Sequence, residues 1–211
     1  MVTALPFETE IFGRPCGRTT DPAEDKSGYW LVHYRGPDAP DFHHVGTLVT
    51  LRICGKAETA SVRPAVAEDI GNCRRMAETF SHDRFHADPW IELKDANRLK
   101  AQWIENAIRG RAERVWVAEG GFLSILAGGR IDLICVEPKM RGRGIAKRLL
   151  SEAFRHYPQL IVGTQASNEE SLKLYRSFRH EEIGRDEDWH WIDDRFVGEG
   201  EDRERTLAGG I

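Results

Sequence analysis

The most constraining feature of the sequence is a glycine-rich basic turn between a strand-like run and a helix-like run. Residues 130–137 ("RIDLICVE") are apolar and rich in β-branched residues, which predicts a buried strand. Residues 145–155 repeat apolar residues at helical spacing. The link "PKMRGRG" places two glycines and two arginines directly before that helix. Glycine permits tight backbone turns, and free N–H groups at a helix start attract anions. We therefore expect an anion-binding turn.

Two common phosphate-binding motifs do not fit this turn. A P-loop needs glycine, lysine and a hydroxyl residue in succession, but Ile145 follows Gly144. The dinucleotide fingerprint needs a third glycine or an alanine where Lys147 stands, and an acidic residue about 20 positions on. The pattern that does fit is Arg141-x-x-Gly144-x-Ala146, which suits a pyrophosphate wrapped by main-chain amides. A solvated turn with incidental arginines is the alternative.

Composition narrows the class of protein. The chain has 211 residues, 40% of them hydrophobic, and a net charge of −4, so no global positive field draws it to nucleic acid or an anionic membrane. No apolar run approaches the length of a membrane helix, and the N-terminus does not resemble a secretory signal. Four scattered cysteines favour reduced, buried thiols. We expect a cytoplasmic protein without nucleic-acid or membrane partners.

The pattern of strands and helices suggests a division near residue 61. Residues 1–61 read mainly as strands and turns, and we predict an N-terminal β-rich subdomain there. Residues 62–197 mix helices with strand-like runs, three of which follow one another closely and predict antiparallel pairing. We predict a second domain over this range, with residues 186–192 closing its sheet. The glycine-rich, charged tail 198–211 predicts disorder.

A second motif follows the turn by about 25 residues. In "TQASNEESLKLY", Asn168 can cap a helix, and Tyr175 follows about two turns later. By spacing alone, Tyr175 is a core aromatic beside Leu172 and Phe178. Together with the strand and the basic turn, however, this segment resembles the GCN5-related N-acetyltransferase (GNAT) superfamily. The resemblance covers about residues 62–192, and "VRPAVAEDI" resembles the family's opening strand and helix.

The resemblance implies a fold, a cofactor and a catalytic residue. It implies an α/β (α+β) fold with a mixed, mostly antiparallel central sheet flanked by helices, here with an N-terminal β-rich extension. The co-substrate would be acetyl-CoA, its pyrophosphate would lie on the turn, and Tyr175 would protonate the departing thiolate. The implied cofactor-binding residues are Leu133, Cys135, Val136, Arg141, Gly142, Arg143, Gly144, Ala146, Lys147 and Asn168. Because Cys135 lies among apolar strand residues, we expect an inert thiol rather than a covalent acetyl carrier.

The acceptor is suggested by other stretches. "LPFETEIFGRPCGR" and "RFHADP" resemble the branch of the family that acetylates the amine of a dTDP-linked amino-dideoxysugar for surface polysaccharides. Arg84, Phe85 and His86 are the candidate substrate-binding residues, because arginine suits a diphosphate, an aromatic ring can stack, and histidine titrates near neutrality. His82 and His86 are four residues apart and Asp83 is near, but no third ligand in metal spacing is obvious, so we predict no metal.

Three alternatives stay open from the sequence. The acceptor could be another amine, such as an antibiotic, a polyamine or a protein N-terminus. The chain could instead be a catalytically silent acyl-CoA-binding module. The oligomeric state is open as well, and a homodimer is one candidate assembly.

Overall fold

Ten strands form one mixed sheet in the computed structural model, which describes residues 1–58 and 61–196. The predicted disordered tail, 198–211, lies outside the described residues. The order across the sheet is β1-β2-β3-β10-β4-β9-β8-β7-β6-β5. Neighbours pair antiparallel except β2 with β3 and β8 with β9, which confirms a mixed, mostly antiparallel sheet. The strand bounds are β1 Thr3–Ala4, β2 Cys16–Thr19, β3 Leu31–Arg35, β4 His43–Cys54, β5 Arg63–Pro64, β6 Arg114–Ala118, β7 Gly121–Leu126, β8 Arg130–Val136, β9 Leu160–Gln165 and β10 Arg179–Ile192.

The predicted boundary near residue 61 does not separate two sheets. Strand β4, from the N-terminal segment, lies between β10 and β9 and pairs with both. Its side chains Val49, Leu51 and Ile53 are fully buried in the main apolar core, so this strand lies in the interior of the protein. The expected sheet-closing strand at 186–192 is likewise part of the interior strand β10. The N-terminal residues therefore complete the sheet of the rest of the chain.

Helices cover both faces of the sheet. Helices α5 and α6 pack on one face, where Ile145, Leu149 and Leu150 fill the main core. Helices α1 to α4 cover the other face, through two further apolar clusters. Residues Arg84–Ala87 form the one-turn helix α3, which Asp83 caps by accepting from two backbone N–H groups. The helix bounds are α1 Pro6–Phe12, α2 Ile70–Ala77, α3 Arg84–Ala87, α4 Leu93–Asn106, α5 Ile145–Ala153 and α6 Glu169–Arg176.

Strands β8 and β9 separate soon after they meet. They are parallel neighbours, but their register contains a single pair, Arg130 with Ile161. Beyond it, β8 continues for six residues along β7 alone. The divergence leaves one edge of β8 unpaired within the described ranges, and this edge leads directly to the basic turn.

Among the residues that the structure describes, no helix combines the length and the apolar character needed to cross a membrane.

Candidate active site

The basic turn has the backbone conformation expected from its glycines. Gly142 and Gly144 have φ values of +76° and +74°, a region that side-chain-bearing residues rarely adopt. Gly144 is the N-cap of α5, and the first helical hydrogen bond runs from the Arg148 N–H to the Gly144 carbonyl over 3.0 Å. The N–H groups of Ile145, Ala146 and Lys147 therefore have no intrahelical acceptor. They form an anion-binding concavity at the positive end of the helix dipole.

Strand alternation decides which main-chain groups of β8 face the unpaired edge. The Glu137 N–H donates to the Gly120 carbonyl, and the Leu133 N–H donates to Ser124 Oγ, both on the β7 side. Because alternate residues of a strand point their amides to opposite edges, the N–H groups of Ile134 and Val136 point toward the gap. Of the predicted strand residues Leu133, Cys135 and Val136, only Val136 therefore points its amide toward the gap, together with Ile134.

One cleft of about 520 Å³ joins these parts. It brings together most of the predicted cofactor residues with Tyr175. The predicted residues that line it are Cys135, Val136, Arg141, Gly142, Gly144, Ala146, Lys147, Asn168 and Tyr175. Asn168 caps α6 through its side-chain oxygen, which accepts from the Ser171 N–H over 3.1 Å. Arg141 is exposed at the rim, with Nε 3.3 Å from the Val136 carbonyl and Nη1 3.5 Å from Glu170.

Tyr175 is both a core residue and a residue of the cleft. It is 2% exposed and belongs to the main core cluster, yet it also lines the cleft. Burial raises the pKa of Tyr175 well above its usual value, against the hydrogen bond with Ser171 that lowers it. The phenol is therefore protonated throughout the physiological pH range and is available as a proton donor.

The Cys135 thiol is held inside the protein. Its Sγ donates to the Met76 carbonyl over 3.2 Å, and burial raises its pKa to about 11. A neutral thiol of this kind is a poor nucleophile at neutral pH, in agreement with the expectation of an inert cysteine.

Two predicted cofactor residues lie outside the cleft lining. Leu133 is buried against the helices that cover the opposite layer, beside Phe122 and Ile104. Arg143 is exposed, and its carbonyl accepts from Arg148 Nη1 over 3.0 Å. Leu133 is therefore a core residue, whereas Arg143 keeps its position in the turn next to the free amides.

The candidate substrate residues Phe85 and His86 are both engaged in contacts within the protein. Phe85 is 1% exposed, so its ring is not free to stack on a ligand. His86 uses Nδ1 toward Asp83 at 2.7 Å and Nε2 toward Asn97 at 3.0 Å. Burial disfavours the charged ring, but the hydrogen bond to Asp83 raises the pKa of His86. With both nitrogens engaged, His86 cannot take a proton from the amine, and it does not join His82 and Asp83 in a metal site.

Arg84 is different. Its guanidinium lies over the Phe85 ring, with Cζ 4.3 Å from the ring centroid. Its Nε is buried and, among the residues that the structure describes, has no hydrogen-bond partner. No ion pair with another described residue involves it; burial lowers the pKa of Arg84, and the nearby carboxylate of Asp188 opposes this. A guanidinium in this state is well suited to an anionic ligand.

Several cleft residues were not anticipated from the sequence. They come mainly from the segment after α2 and from α6, and include Thr79, Phe80, Ser81, His82, Ile134, Met140, Glu170, Ser171 and Leu174. His82 is exposed, and its Nδ1 lies 3.0 Å from Ser81 Oγ. Residues 79–82 carry no motif, and only packing of α2 over β8 brings them to the cleft.

A larger cavity of about 1060 Å³ lies along α2, on the other side of the turn. Its charges are mixed and partly paired, as in the Arg63–Asp69 ion pair at 2.7 Å. It lacks the free helix-start amides and Tyr175. The smaller cleft is therefore the better candidate for catalysis.

Comparison with known proteins supports this choice. Residues 111–179, which contain β8, the turn, α5 and α6, match the model of the acetyltransferase (GNAT) domain family. A solved GNAT-family protein from Novosphingobium aromaticivorans superposes with a TM-score of 0.50 at 12% identity, covering 87% of this chain and 78% of the other. That similarity concerns the fold.

Two curated relatives cover much of the chain. The spore coat polysaccharide biosynthesis protein SpsD of Bacillus subtilis is 26% identical over 175 residues, 73% of this chain and 58% of the relative. The dTDP-fucosamine acetyltransferase of Escherichia coli is 33% identical over 124 residues, 51% of this chain and 52% of the relative. The chain thus spans little more than half the length of either relative. Residues 111–179 are thus similar in sequence to the acetyltransferase (GNAT) domain family, and the fold agrees with that similarity.

Proposed function

We propose that this chain is an acetyl-CoA-dependent N-acetyltransferase that acts on the amine of a nucleotide-linked amino-dideoxysugar, with dTDP as the carrier. One observation carries the acetyl-transfer part of the proposal. The free amides of the turn, the unpaired edge of β8 and the phenol of Tyr175 all border one cleft. The amides suit the pyrophosphate of CoA, and the edge of β8 suits the amide groups of its pantetheine arm.

The chemistry follows from the positions of these groups. The neutral amine attacks the thioester carbonyl, a C–N bond forms, and an oxyanion develops. The N–H groups of Ile134 and Val136 are the candidates to stabilise that oxyanion. The C–S bond then breaks, and Tyr175 donates its proton to the departing thiolate. The ammonium proton leaves to water or to His82, whose Nε2 keeps a lone pair when Nδ1 donates to Ser81.

Two kinds of evidence support the choice of acceptor. The buried Nε of Arg84 has no hydrogen-bond partner among the described residues, which fits an anionic ligand such as the diphosphate of a sugar nucleotide. The two curated relatives named above are a polysaccharide biosynthesis protein and a sugar-nucleotide acetyltransferase. The names of these two relatives favour this acceptor class over antibiotics and polyamines, whereas a third relative, named as a peptidyl-lysine N-acetyltransferase, keeps a peptide as the alternative acceptor.

The proposal is tested with an acceptor panel and one substitution. Release of free CoA thiol is measured with a dTDP-linked amino-dideoxysugar, a polyamine, an aminoglycoside and a peptide. We expect turnover with the sugar nucleotide alone, and a fall in kcat of about 100- to 10,000-fold in Tyr175→Phe with acetyl-CoA binding retained. Turnover on the peptide alone would refute the acceptor assignment. Binding of acetyl-CoA without turnover on any amine would favour a silent acyl-CoA-binding module.

A further inference from the structure

Three polar side chains from distant parts of the sequence meet beneath α3. His43 begins β4, His190 lies opposite it in β10, and Asp88 directly follows α3. Asp88 Oδ2 is 2.6 Å from His190 Nδ1 and 3.2 Å from His43 Nε2. One ligand atom from each of the three residues lies within 4.8 Å of the others. The three side chains therefore converge on one point.

The carboxylate of Asp88 is held in a fixed orientation. Its Oδ1 accepts from the Trp90 backbone N–H over 2.8 Å, which leaves Oδ2 directed at the two imidazoles. The side chains of Asp88 and His190 are both 0% exposed. A hydrogen bond from the surroundings that orients a ligand carboxylate is a regular feature of protein metal sites.

Hydrogen bonding within the cluster does not satisfy all of its buried atoms. His43 Nε2 is close to Asp88 Oδ2 but outside hydrogen-bond geometry, and it has no hydrogen-bond partner among the described residues. The His43 and His190 rings are nearly perpendicular, at 89°. A nitrogen and a carboxylate oxygen that approach each other without forming a hydrogen bond are arranged as two ligands of a shared cation.

The donor set indicates which cation. Two imidazole nitrogens and one carboxylate oxygen suit borderline divalent transition ions, and zinc sites with three protein ligands keep a fourth position for water. The side chain of His43 is partly exposed, so the cluster can be reached from the surface on the His43 side. We propose that His43, Asp88 and His190 form a divalent transition-metal site, best suited to zinc.

Such an ion would join three elements. It would fasten the segment after α3 to β4 and β10, and Arg84 lies four residues before Asp88 on that segment. Its role would be to hold these three elements together. The inference does not depend on the acetyl-transfer proposal, because metal binding can be measured without substrate.

The test uses the full chain without a histidine tag, freed of metal with EDTA. Zinc is titrated in competition with a chromophoric chelator, and Tm is measured with and without zinc. We expect one zinc per chain and a rise in Tm. His43→Gln is the main variant, because the His43 side chain is 32% exposed and its loss is tolerable for folding. His44→Gln is the matched control, since His44 is the adjacent histidine and pairs with Glu187 instead.

The outcomes separate a metal site from a hydrogen-bonded cluster. Loss of zinc binding in His43→Gln, with binding retained in His44→Gln, supports the site. Wild-type protein that takes up no stoichiometric zinc and shows no change in Tm overturns the proposal, as does undiminished binding by His43→Gln. If His43→Gln does not fold, the zinc content of the wild-type protein and of Asp88→Asn is compared instead. The metal site predicts one zinc in the wild type and none in Asp88→Asn, whereas a purely hydrogen-bonded cluster predicts no zinc in the wild type as well.

Discussion

At the scale of single residues, burial and unused hydrogen-bond donors distinguish a candidate binding residue from a residue that only supports the fold. Arg84, Phe85 and His86 are consecutive, yet Phe85 is a core residue and His86 has both nitrogens engaged. Arg84 alone keeps donors for a ligand. The three residues thus have different roles although they form one stretch of sequence.

Replacement of Arg84 tests its role toward the acceptor. Arg84→Ala should raise the KM for the sugar nucleotide about 10- to 100-fold, because a hydrogen bond to a charged group contributes about 1.5–3 kcal/mol. The KM for acetyl-CoA should not change. Initial rates at varied concentrations of both substrates measure this. Arg109→Ala, which removes an exposed arginine paired with Glu105, is the control. Equal effects of both variants on acceptor KM would contradict a specific role for Arg84.

Cys135 provides a pH-dependent prediction. Since burial raises its pKa to about 11, the thiol is neutral at pH 7 to 8, and the thiolate forms only as the pH approaches that value. Native protein treated with iodoacetamide at neutral pH should therefore remain unmodified at Cys135, as checked by peptide mass spectrometry. The half-buried Cys54 is the internal comparison. Cys135→Ala should retain the turnover of the wild type. A loss of turnover in this variant would instead support an acetyl-enzyme intermediate at Cys135.

At the scale of elements, the site is a junction of strand, turn and helix. The strand supplies an unpaired edge, the turn supplies left-handed glycines, and the helix supplies free amides and a dipole. Each property is local, but the three act together because β8 runs directly into α5. The turn conformation should therefore control cofactor affinity.

Gly144→Ala tests this control. Alanine at φ +74° costs about 1–2 kcal/mol, and relaxation of that strain would move the amides at the start of α5. We expect a higher KM for acetyl-CoA and an unchanged KM for the acceptor. Gly128→Ala is the matched control, because Gly128 has φ +77°, has open space around its Cα and lies in the β7–β8 turn. A KM for acetyl-CoA that rises equally in both variants would indicate general strain.

At the scale of the whole molecule, the sheet joins the two halves of the sequence. Strand β4 pairs with β10 along eleven residues and with β9 along six. Removal of residues 1–61 would expose both of those edges and the apolar face that β4 covers. We therefore predict that the chain unfolds as one cooperative unit.

Equilibrium unfolding tests whether the chain unfolds cooperatively. In urea, far-UV circular dichroism and tryptophan fluorescence should give coincident single transitions, because Trp30 and Trp116 are both buried on opposite sides of residue 61 in the sequence, and one continuous sheet joins these two parts of the chain. A fragment of residues 62–211 should not show a cooperative transition. Two separate transitions, or a stably folded fragment, would restore an independent N-terminal subdomain.

Local patterns predicted the parts that depend on neighbouring residues. The turn at Gly142 and Gly144, the strand before it and the Asn168 cap all follow from short-range backbone preferences, and the structure contains each of them. The antiparallel pairing of β6, β7 and β8 also follows from short connections. The role of β4 could not be predicted in this way, because its partners lie more than 100 residues away.

The sequence by itself determined the strand–turn–helix unit and the positions of Asn168 and Tyr175 on their helix, because torsional preferences and helical periodicity act over a few residues. Tertiary structure alone decided that Ile134 and Val136 face the gap, that Arg84 is free while His86 is engaged, and that His43, Asp88 and His190 meet. Those outcomes depend on which edges and faces distant strands and helices cover, and burial and pairing over such distances are properties of the assembled sheet.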